Sequence, residues 1–137
     1  MTTNKLSVTT VTALSVMVGI QSCKKYDEGP AITLKSANSR LVGEWDLTGG
    51  DVYDPDIDIS FEFNKDGDFN LGITYSYYGF NYTYNQGGSW EWIDDKDGVE
   101  ISVDGTFTNE EFEIKMLTSK EMKLEDEDGY EYEFEKQ

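Results

Sequence analysis

Apolar and polar residues alternate along most of this chain, and that alternation limits its possible folds more than any other feature. Apolar side chains occupy every second position of 57–63, and the pattern recurs at 69–75, 80–84, 90–92, 99–103, 112–116 and 130–134. Successive side chains of a strand point to opposite faces of a sheet, so this spacing is typical of strands with one buried face. No stretch beyond residue 22 shows a helical period. The sequence therefore predicts an all-β domain.

Short turn signals separate the alternating segments. They fall at 64–67, 78–79, 86–88, 95–98, 104–105, 118–120 and 127–129. Most contain Gly, which supplies a positive φ, or Asp and Asn, which tolerate one, so each can reverse the chain within a few residues. Connections this short join antiparallel neighbours, and counting from Glu44 gives eight or nine strands.

A closed barrel is the architecture that this strand order favours. We expect an antiparallel up-and-down meander, because a meander that closes on itself removes unpaired strand edges. A Greek-key sandwich is the alternative, but it needs long arches between its sheets, and only residues 49–56 offer one.

An excess of acidic residues limits the partners of the chain. It contains 28 Asp or Glu residues against 11 Lys or Arg, which gives a formal net charge of -17, and it has no His and one Cys. Nucleic acid is excluded as a partner, because binding a polyanion requires clustered Lys or Arg. Without His, and with a single Cys at the end of an apolar segment, the chain lacks the usual pairs of nucleophile and base. We expect no enzymatic activity and no cofactor.

The N-terminal segment is typical of a secretory signal peptide. Lys5 is the only charged residue before Lys24, and Leu6–Ile20 is an uncharged run of 15 mainly apolar or small residues. This run is shorter than the ~20 apolar residues of a membrane-spanning helix, and a charged start followed by an apolar middle marks a signal peptide. We predict a signal peptide helix over residues 1–22, a tether over 23–39 and a barrel domain over 40–137.

The apolar run ends at Ile20-Gln21-Ser22-Cys23, which resembles the lipobox of bacterial lipoproteins. The resemblance implies that Cys23 carries acyl chains, palmitate among them, and becomes the mature N-terminus, with membrane lipid as its partner. Two or more acyl chains anchor a protein stably in a bilayer. The alternative is an ordinary secretory signal in which Cys23 has no role. A lone Cys in an oxidising envelope would then be a free thiol without a disulfide partner.

The residues after Cys23 bear on which membrane would hold the anchor. Lys24 follows the Cys where an Asp would signal retention in the inner membrane of enterobacteria, so the resemblance implies the outer membrane. The mixed cluster Lys24–Glu28 is also similar to export signals of surface lipoproteins in the Bacteroidetes. The domain would stand on the periplasmic or the cell-surface face, and a solvated spacer is the alternative explanation of the cluster.

A second resemblance covers residues 40–135. Gly43-x-Trp45 resembles the opening motif of the lipocalins, in which the Trp closes the barrel floor. Further matches to the bacterial lipocalin-like lipoproteins follow in order: Phe61-x-Phe63-x3-Gly67-x-Phe69, Gly88-x-Trp90 and Leu117-Thr118-Ser119-Lys120-Glu121-Met122-x-Leu124. The resemblance implies an eight- or nine-stranded lipocalin-like barrel, with Gly43 and Trp45 as its floor motif, that binds a small apolar or amphipathic ligand.

The chain departs from this family at the floor. Lipocalins place an Arg of the last strand over the floor Trp, whereas Arg40 is the only Arg here and precedes the motif. Lys136 occupies the corresponding position, although a Lys gives no planar stack on the ring. An eight-stranded barrel is also just wide enough to be filled by its own side chains or to hold one small ligand.

The segment 69–90 contains no charged residue and eight aromatic ones. Tyr77 and Tyr78 are adjacent, so at least one of them projects from the tip of a hairpin. Exposed Tyr and Trp favour recognition, because a rigid amphipathic ring gives contact area at low entropic cost. The segment is therefore either a rim that binds carbohydrate, a lipid tail or a protein, or a part of the core. The candidate ligand contacts are Trp45, Phe61, Phe69, Tyr75, Tyr77, Tyr78, Tyr82 and Trp90, with Ile101 and Phe112 as further lining of an empty interior.

Acidic residues also suggest a calcium hypothesis. Asp54, Asp56 and Asp58 lie in the one long loop and could supply oxygen ligands, or they form a solvated acidic loop. Residues 124–135 match part of an EF-hand spacing, but Leu124 stands where the first ligand is required. We therefore assign no metal site.

Overall fold

The structure is a computed structural model that describes residues 36–137. The predicted signal peptide helix, Cys23 and the tether as far as residue 35 lie outside the described residues. The elements are α1 (Ala37–Leu41), β1 (Gly43–Gly50), β2 (Ile57–Phe63), β3 (Asp68–Tyr77), β4 (Phe80–Ile93), a 3-10 turn (Asp94–Lys96), β5 (Gly98–Val103), β6 (Asn109–Leu117), β7 (Glu121–Asp126) and β8 (Glu131–Lys136).

The strands form a closed antiparallel barrel. Each strand pairs with the next one along the chain, and β8 pairs with β1 to complete the circle, with Leu47 opposite Phe134 at the seam. This arrangement confirms the predicted up-and-down barrel and fixes the number of strands at eight. It also excludes the Greek-key alternative, because no connection crosses between two sheets.

Apolar side chains fill the interior of the barrel. Trp45, Phe63, Phe69 and Phe134 are each at most 2% exposed. Phe61 packs edge to face on Phe69 with ring centroids 5.2 Å apart, and its ring lies 4.8 Å from that of Phe134. Full burial of one such side chain stabilises a fold by roughly 1.5–3 kcal/mol. Most of the alternating apolar residues of the sequence therefore face inward and form the core, whereas those near the mouth, Tyr75, Phe80, Tyr82, Tyr84 and Tyr130, are exposed.

The barrel has two unlike ends, which we call the floor and the mouth. The floor is formed by α1 and the turns at 64–67, 94–97 and 118–120, and the mouth is bordered by loops 51–56, 78–79, 104–108 and 127–130.

Helix α1 begins inside the segment predicted as a tether. Ser36 caps it by accepting a hydrogen bond from the backbone N–H of Ser39 at 3.2 Å. Its five residues are too few to show a helical period in the sequence. Among residues 36–137, no helix is long and apolar enough to cross a membrane.

The β3–β4 hairpin rises above the rest of the barrel wall. β4 has 14 residues, whereas its neighbour β5 has six and ends at Val103, opposite Gly88. Tyr78 and Gly79 form the turn with φ values of 49° and 78°, as a two-residue type I′ turn requires. Within the described part of the chain, residues 80–86 pair with β3 on one side only. Contrary to expectation, closure therefore leaves this edge of β4 unpaired, because β4 is longer than its neighbour β5.

Candidate ligand-binding site

The floor is closed around Trp45. Its ring lies under the ammonium group of Lys136, with Nζ 5.1 Å from the ring centroid, and its indole N–H donates to the carbonyl of Leu41 at 2.8 Å. Lys136 Nζ also donates to the carbonyl of Arg40 at 2.9 Å, and Arg40 donates to the carbonyl of Leu117 at 2.6 Å. A cation over an aromatic face contributes roughly 0.5–2 kcal/mol. Lys136 thus places a positive charge over the floor Trp, as a Lys does without a planar stack.

Gly43 is required by the same contact. Its φ is +138°, and a Cβ at this position would lie 2.5 Å from Cε of Lys136. A larger residue would displace the Lys136 side chain from the ring of Trp45. The Gly-x-Trp motif therefore has a packing explanation in this chain, since the Gly makes room for the cation that covers the Trp.

An apolar cavity of about 210 Å³, the mouth cavity, opens at the other end of the barrel. Its lining comes from the inner faces of the strands and from the β5–β6 loop: Phe61, Phe69, Leu71, Ile101, Val103, Thr106, Thr108, Glu110, Phe112 and Tyr132. Fully buried side chains such as Trp45 and Phe63 pack beneath it. The cavity is therefore a cleft at the mouth and not a channel through the barrel.

One side of the mouth cavity is polar. Glu110 lines it, and its register opposite Ile101 places it on the inner side of the sheet. Tyr132 donates its hydroxyl hydrogen to Asp126 at 2.8 Å. Partial burial and this hydrogen bond raise the pKa of Tyr132 above its usual value, and the charges of Asp126 and Glu110 act in the same direction. Tyr132 therefore keeps its proton at neutral pH.

Four of the predicted interior residues meet at the mouth cavity, namely Phe61, Phe69, Ile101 and Phe112. Trp45 does not line it, because the ring is wholly buried at the floor.

Trp90 does not line the mouth cavity either. It is half-buried, donates its indole N–H to the carbonyl of Asn64 at 2.8 Å and packs edge to face on Phe63 with centroids 5.6 Å apart. Its ring supports the wall of the barrel near the floor.

Sequence reasoning missed the polar side of the cavity. Glu110 lies two positions before Phe112, and Tyr132 two positions before Phe134, so period-two spacing puts both on the inward face. That signal was present in the sequence. The run of acidic residues around Glu110 suggests a solvated surface instead, and this hides the signal.

The predicted aromatic residues of the hairpin lie next to the mouth cavity and are exposed. Tyr75 and Tyr82 stack with ring centroids 5.5 Å apart and an interplanar angle of 21°. Tyr78 is 83% exposed and meets Tyr77 edge to face at 4.4 Å. The prediction that at least one of these adjacent tyrosines projects at a hairpin tip is confirmed. The rings form a surface beside the cavity and stand outside the core.

The acidic residues of the calcium hypothesis lie apart from the mouth cavity. Asp54 accepts a hydrogen bond from the backbone N–H of Asp56 at 2.9 Å, which shapes the loop. Asp58 lines a polar groove of about 590 Å³ on the outer surface of β1–β4. In the described part of the chain, no group of three or more His, Cys, Asp or Glu side chains could hold a metal ion.

The fold has a counterpart among solved structures. No protein-family profile and no curated protein matches the chain. The crystal structure of a lipocalin-like protein from Bacteroides uniformis is similar, with a TM-score of 0.50 and 19% sequence identity over 72% of this chain and 99% of that chain. A likeness at this identity shows the fold alone. The chain is an all-β protein whose eight antiparallel strands form an up-and-down closed barrel with a lipocalin-like fold.

Proposed function

We propose that this protein is a non-enzymatic binding protein whose mouth cavity holds the apolar end of a small amphipathic ligand. The observation that carries this proposal is an apolar cavity of about 210 Å³ with Glu110 in its lining and Tyr132 on its polar side. The apolar lining favours a hydrocarbon or aromatic group, because burying that group removes apolar surface from water. The carboxylate and the hydroxyl group fix the orientation of the ligand.

The size of the cavity limits the ligand. Apolar cavities of about 150 Å³ bind a single aromatic ring, and pockets for drug-sized ligands measure about 300–1,000 Å³. A cavity of about 210 Å³ therefore suits one ring or a short acyl segment. A longer ligand would extend past the mouth onto the stacked rings of Tyr75 and Tyr82.

Filling the cavity tests the proposal. Val103→Phe adds a ring on the inner side of β5 and should abolish binding of N-phenyl-1-naphthylamine, a neutral apolar fluorophore whose phenyl ring would occupy the cavity while its naphthyl group extends past the mouth, measured by its fluorescence increase. Ser102→Phe adds the same ring on the outer side of the same strand and should leave binding unchanged. If the Val103→Phe variant binds the fluorophore as tightly as the wild type, the mouth cavity is not the binding site. Mass spectrometry of ligand retained by the purified protein would then identify the natural occupant.

We further propose that the protein is an outer-membrane lipoprotein held by acyl chains on Cys23. The lipobox-like sequence at residues 20–23 supports this proposal. Ser36, the first described residue, lies next to α1 at the floor, the end of the barrel opposite the mouth. The mouth would then face away from the membrane and be open to ligand.

Removing the thiol tests the anchor. Cys23→Ser should move the protein from the membrane fraction to the soluble fraction of the envelope. Ser22→Ala keeps a small residue before the cleavage point and should leave the protein in the membrane. A Cys23→Ser protein that stays membrane-bound would refute the lipoprotein assignment.

The hairpin offers a second candidate function, the binding of carbohydrate or protein. The stacked Tyr75–Tyr82 pair and the exposed Tyr78 present rings in a segment without charge. If a neutral oligosaccharide panel shows binding that Tyr82→Ala abolishes and Val103→Phe preserves, the hairpin is the site. Binding that Val103→Phe abolishes and Tyr82→Ala preserves would favour the mouth cavity.

A further inference from the structure

The unpaired edge of β4 is a surface that the proposed ligand binding does not use. We propose that residues 80–86 pair antiparallel with the same residues of a second copy of this chain, about a twofold axis at Thr83. The pairing is independent of what the mouth cavity binds.

Three residues of this edge direct their backbone groups away from β3. In a two-residue hairpin, the pair that flanks the turn exchanges both of its hydrogen bonds, and bonded and non-bonded pairs then alternate along the strands. That flanking pair is Tyr77 and Phe80. The non-bonded positions of β4 are therefore Asn81, Thr83 and Asn85, and their N–H and C=O groups point to the open side.

Gly87, the next residue of β4 whose backbone groups point away from β3, supports this assignment. The carbonyl of Gly87 accepts a hydrogen bond from the backbone N–H of Asp104 at 2.9 Å, on the side of β4 away from β3. Pairing with β5 continues from Gly88 onward. Among residues 36–137, no strand continues that pairing along residues 80–86.

The sequence of the edge carries none of the usual protection against pairing. Exposed edges are normally blunted by Lys, Pro, bulges or inward-pointing charges. Residues 80–86 contain no charged residue and no Pro, and their register with β3 is continuous. Their inner-face rings Phe80, Tyr82 and Tyr84 are 68%, 47% and 52% exposed. This edge is therefore open both in its hydrogen bonds and in its apolar surface.

Charge favours a second copy as the partner. Two chains of net charge -17 repel each other over most of their surface, but residues 69–90 carry no charge, so two hairpins can meet without opposing like charges. A polyanionic or strongly acidic partner gains nothing from this neutral edge.

The register is self-complementary. Pairing about Thr83 sets Asn81 opposite Asn85 of the second copy, and Tyr82 opposite Tyr84 of the second copy. All the open groups are then used, because three donors and three acceptors on each of two strands make six hydrogen bonds. The inner faces of both hairpins join into one aromatic surface.

The same pairing accounts for an exposed side chain outside the hairpin. Phe107 in the β5–β6 loop is fully exposed. Gln86 lies beside this loop, since its side-chain amide donates to the carbonyl of Asp104. Phe80 of the second copy lies opposite Gln86 in the proposed register, so the turn of that copy reaches the loop. Phe107 then packs against the second copy's hairpin tip.

Sedimentation velocity over a wide concentration range tests the pairing. The sample is the protein from residue 23 onward with Cys23→Ser, which includes every described residue. We expect a monomer–dimer equilibrium that shifts toward the dimer as salt rises, because salt screens the repulsion between two acidic chains. A protein that stays monomeric at every concentration, or a dimer that salt dissociates, would overturn the proposal.

Substitution at the twofold axis tests the edge itself. Thr83→Pro removes the central N–H on the open side, and Pro is tolerated on edge strands because the β3 ladder does not use that group. The dimer dissociation constant should rise roughly tenfold or more with the loss of the central hydrogen bonds. Thr83→Val is the matched control, since it also loses the 3.1 Å hydroxyl contact with Thr74 but keeps the N–H. Equal dimerisation by the two variants would place the interface elsewhere.

Two double variants test the register of the proposed dimer, and they do so even if Thr83→Pro fails to fold. Asn81→Lys with Asn85→Glu places opposite charges on facing strands and should dimerise at least as tightly as the wild type. Asn81→Lys with Asn85→Lys places like charges there and should be monomeric. The same oligomeric state for both folded variants would contradict the proposed register.

Discussion

At the scale of single residues, Tyr78 occupies a backbone conformation that disfavours its side chain. Its φ of 49° lies in the left-handed region, where type I′ turns normally place Asn, Asp or Gly. Its ring is 83% exposed and contacts Tyr77 in the described structure. Little burial of the ring offsets the cost of this strain, which agrees with the binding role proposed for the hairpin.

Tyr78→Asn should stabilise the protein. The substitution relieves the left-handed strain at the turn, and we expect the free energy of unfolding to rise by roughly 1 kcal/mol. Urea denaturation followed by far-UV circular dichroism measures this change. Tyr77→Asn, at an extended position next to it, should give no such gain. A less stable Tyr78→Asn protein would show that the ring supports the fold.

Gly43→Ala should destabilise the protein, because the added Cβ meets the Lys136 side chain at a residue whose φ is +138°. We expect a loss of about 1–3 kcal/mol in the free energy of unfolding. Gly87→Ala is the control, since its Cβ meets nothing closer than 3.5 Å. A double-mutant cycle with Lys136→Ala separates the steric conflict from the backbone strain. Additive effects in that cycle would show that Gly43 and Lys136 do not interact.

At the scale of elements, three strands bring like charges face to face on the outer surface. Glu91 of β4 lies opposite Glu100 of β5, which lies opposite Glu111 of β6. Partial burial raises the pKa of Glu100, and the charges of Glu91 and Glu111 raise it further. A carboxyl whose pKa is higher in the folded state than in the unfolded state favours folding when protonated, so its contribution to stability falls as pH rises through that pKa.

Glu100→Gln should therefore raise the melting temperature at neutral pH. The gain should shrink as pH falls from the raised pKa toward the ordinary value of 4.5, where the wild-type carboxyl takes up its proton. Calorimetric melting curves at several pH values measure this difference. Glu127→Gln in the β7–β8 loop removes one charge away from this row and should have a smaller effect. A gain that does not depend on pH would exclude the repulsion as its cause.

The sequence predicts the positions of the strands better than it predicts their lengths. Period-two spacing locates the strands, because one face of each is buried, and turn residues locate the reversals. The spacing does not show how far neighbouring strands extend, so the overhang of residues 80–86 beyond Val103 was not predicted. The five-residue helix α1 also escaped prediction, because its start depends on the side chain of Ser36 and not on a pattern.

At the scale of the whole molecule, the mouth and the floor differ in charge. The four mouth loops contain six acidic residues and no Lys or Arg. The helix and turns of the floor contain four basic residues, Arg40, Lys65, Lys96 and Lys120, which balance their four acidic residues, and Lys136 ends β8 beside them. The sequence shows the total charge of -17, but only the fold shows this division. The volume of the mouth cavity was equally unpredictable, since it depends on how Phe61, Phe69 and Phe112 pack.

The acidic mouth should select ligands by charge. An alkylammonium ion should displace N-phenyl-1-naphthylamine at lower concentration than an alkyl sulfate of the same chain length, because Glu110 and the mouth loops attract cations. The difference should shrink as salt rises. Glu110→Gln should reduce the preference, and Glu121→Gln at the floor should leave it unchanged. Equal competition by both amphiphiles would contradict an electrostatic role for the mouth.

Closure of β8 on β1 makes folding depend on nearly the whole described chain. Lys136 and Arg40, which meet at the floor, are 96 positions apart in sequence. Contacts between such distant residues form late, because closing a long loop costs entropy. A nascent chain therefore cannot complete its barrel until residues 131–136 have been synthesised. For a protein proposed to be exported, this delay keeps the chain open during synthesis and allows it to be threaded across a membrane before it folds.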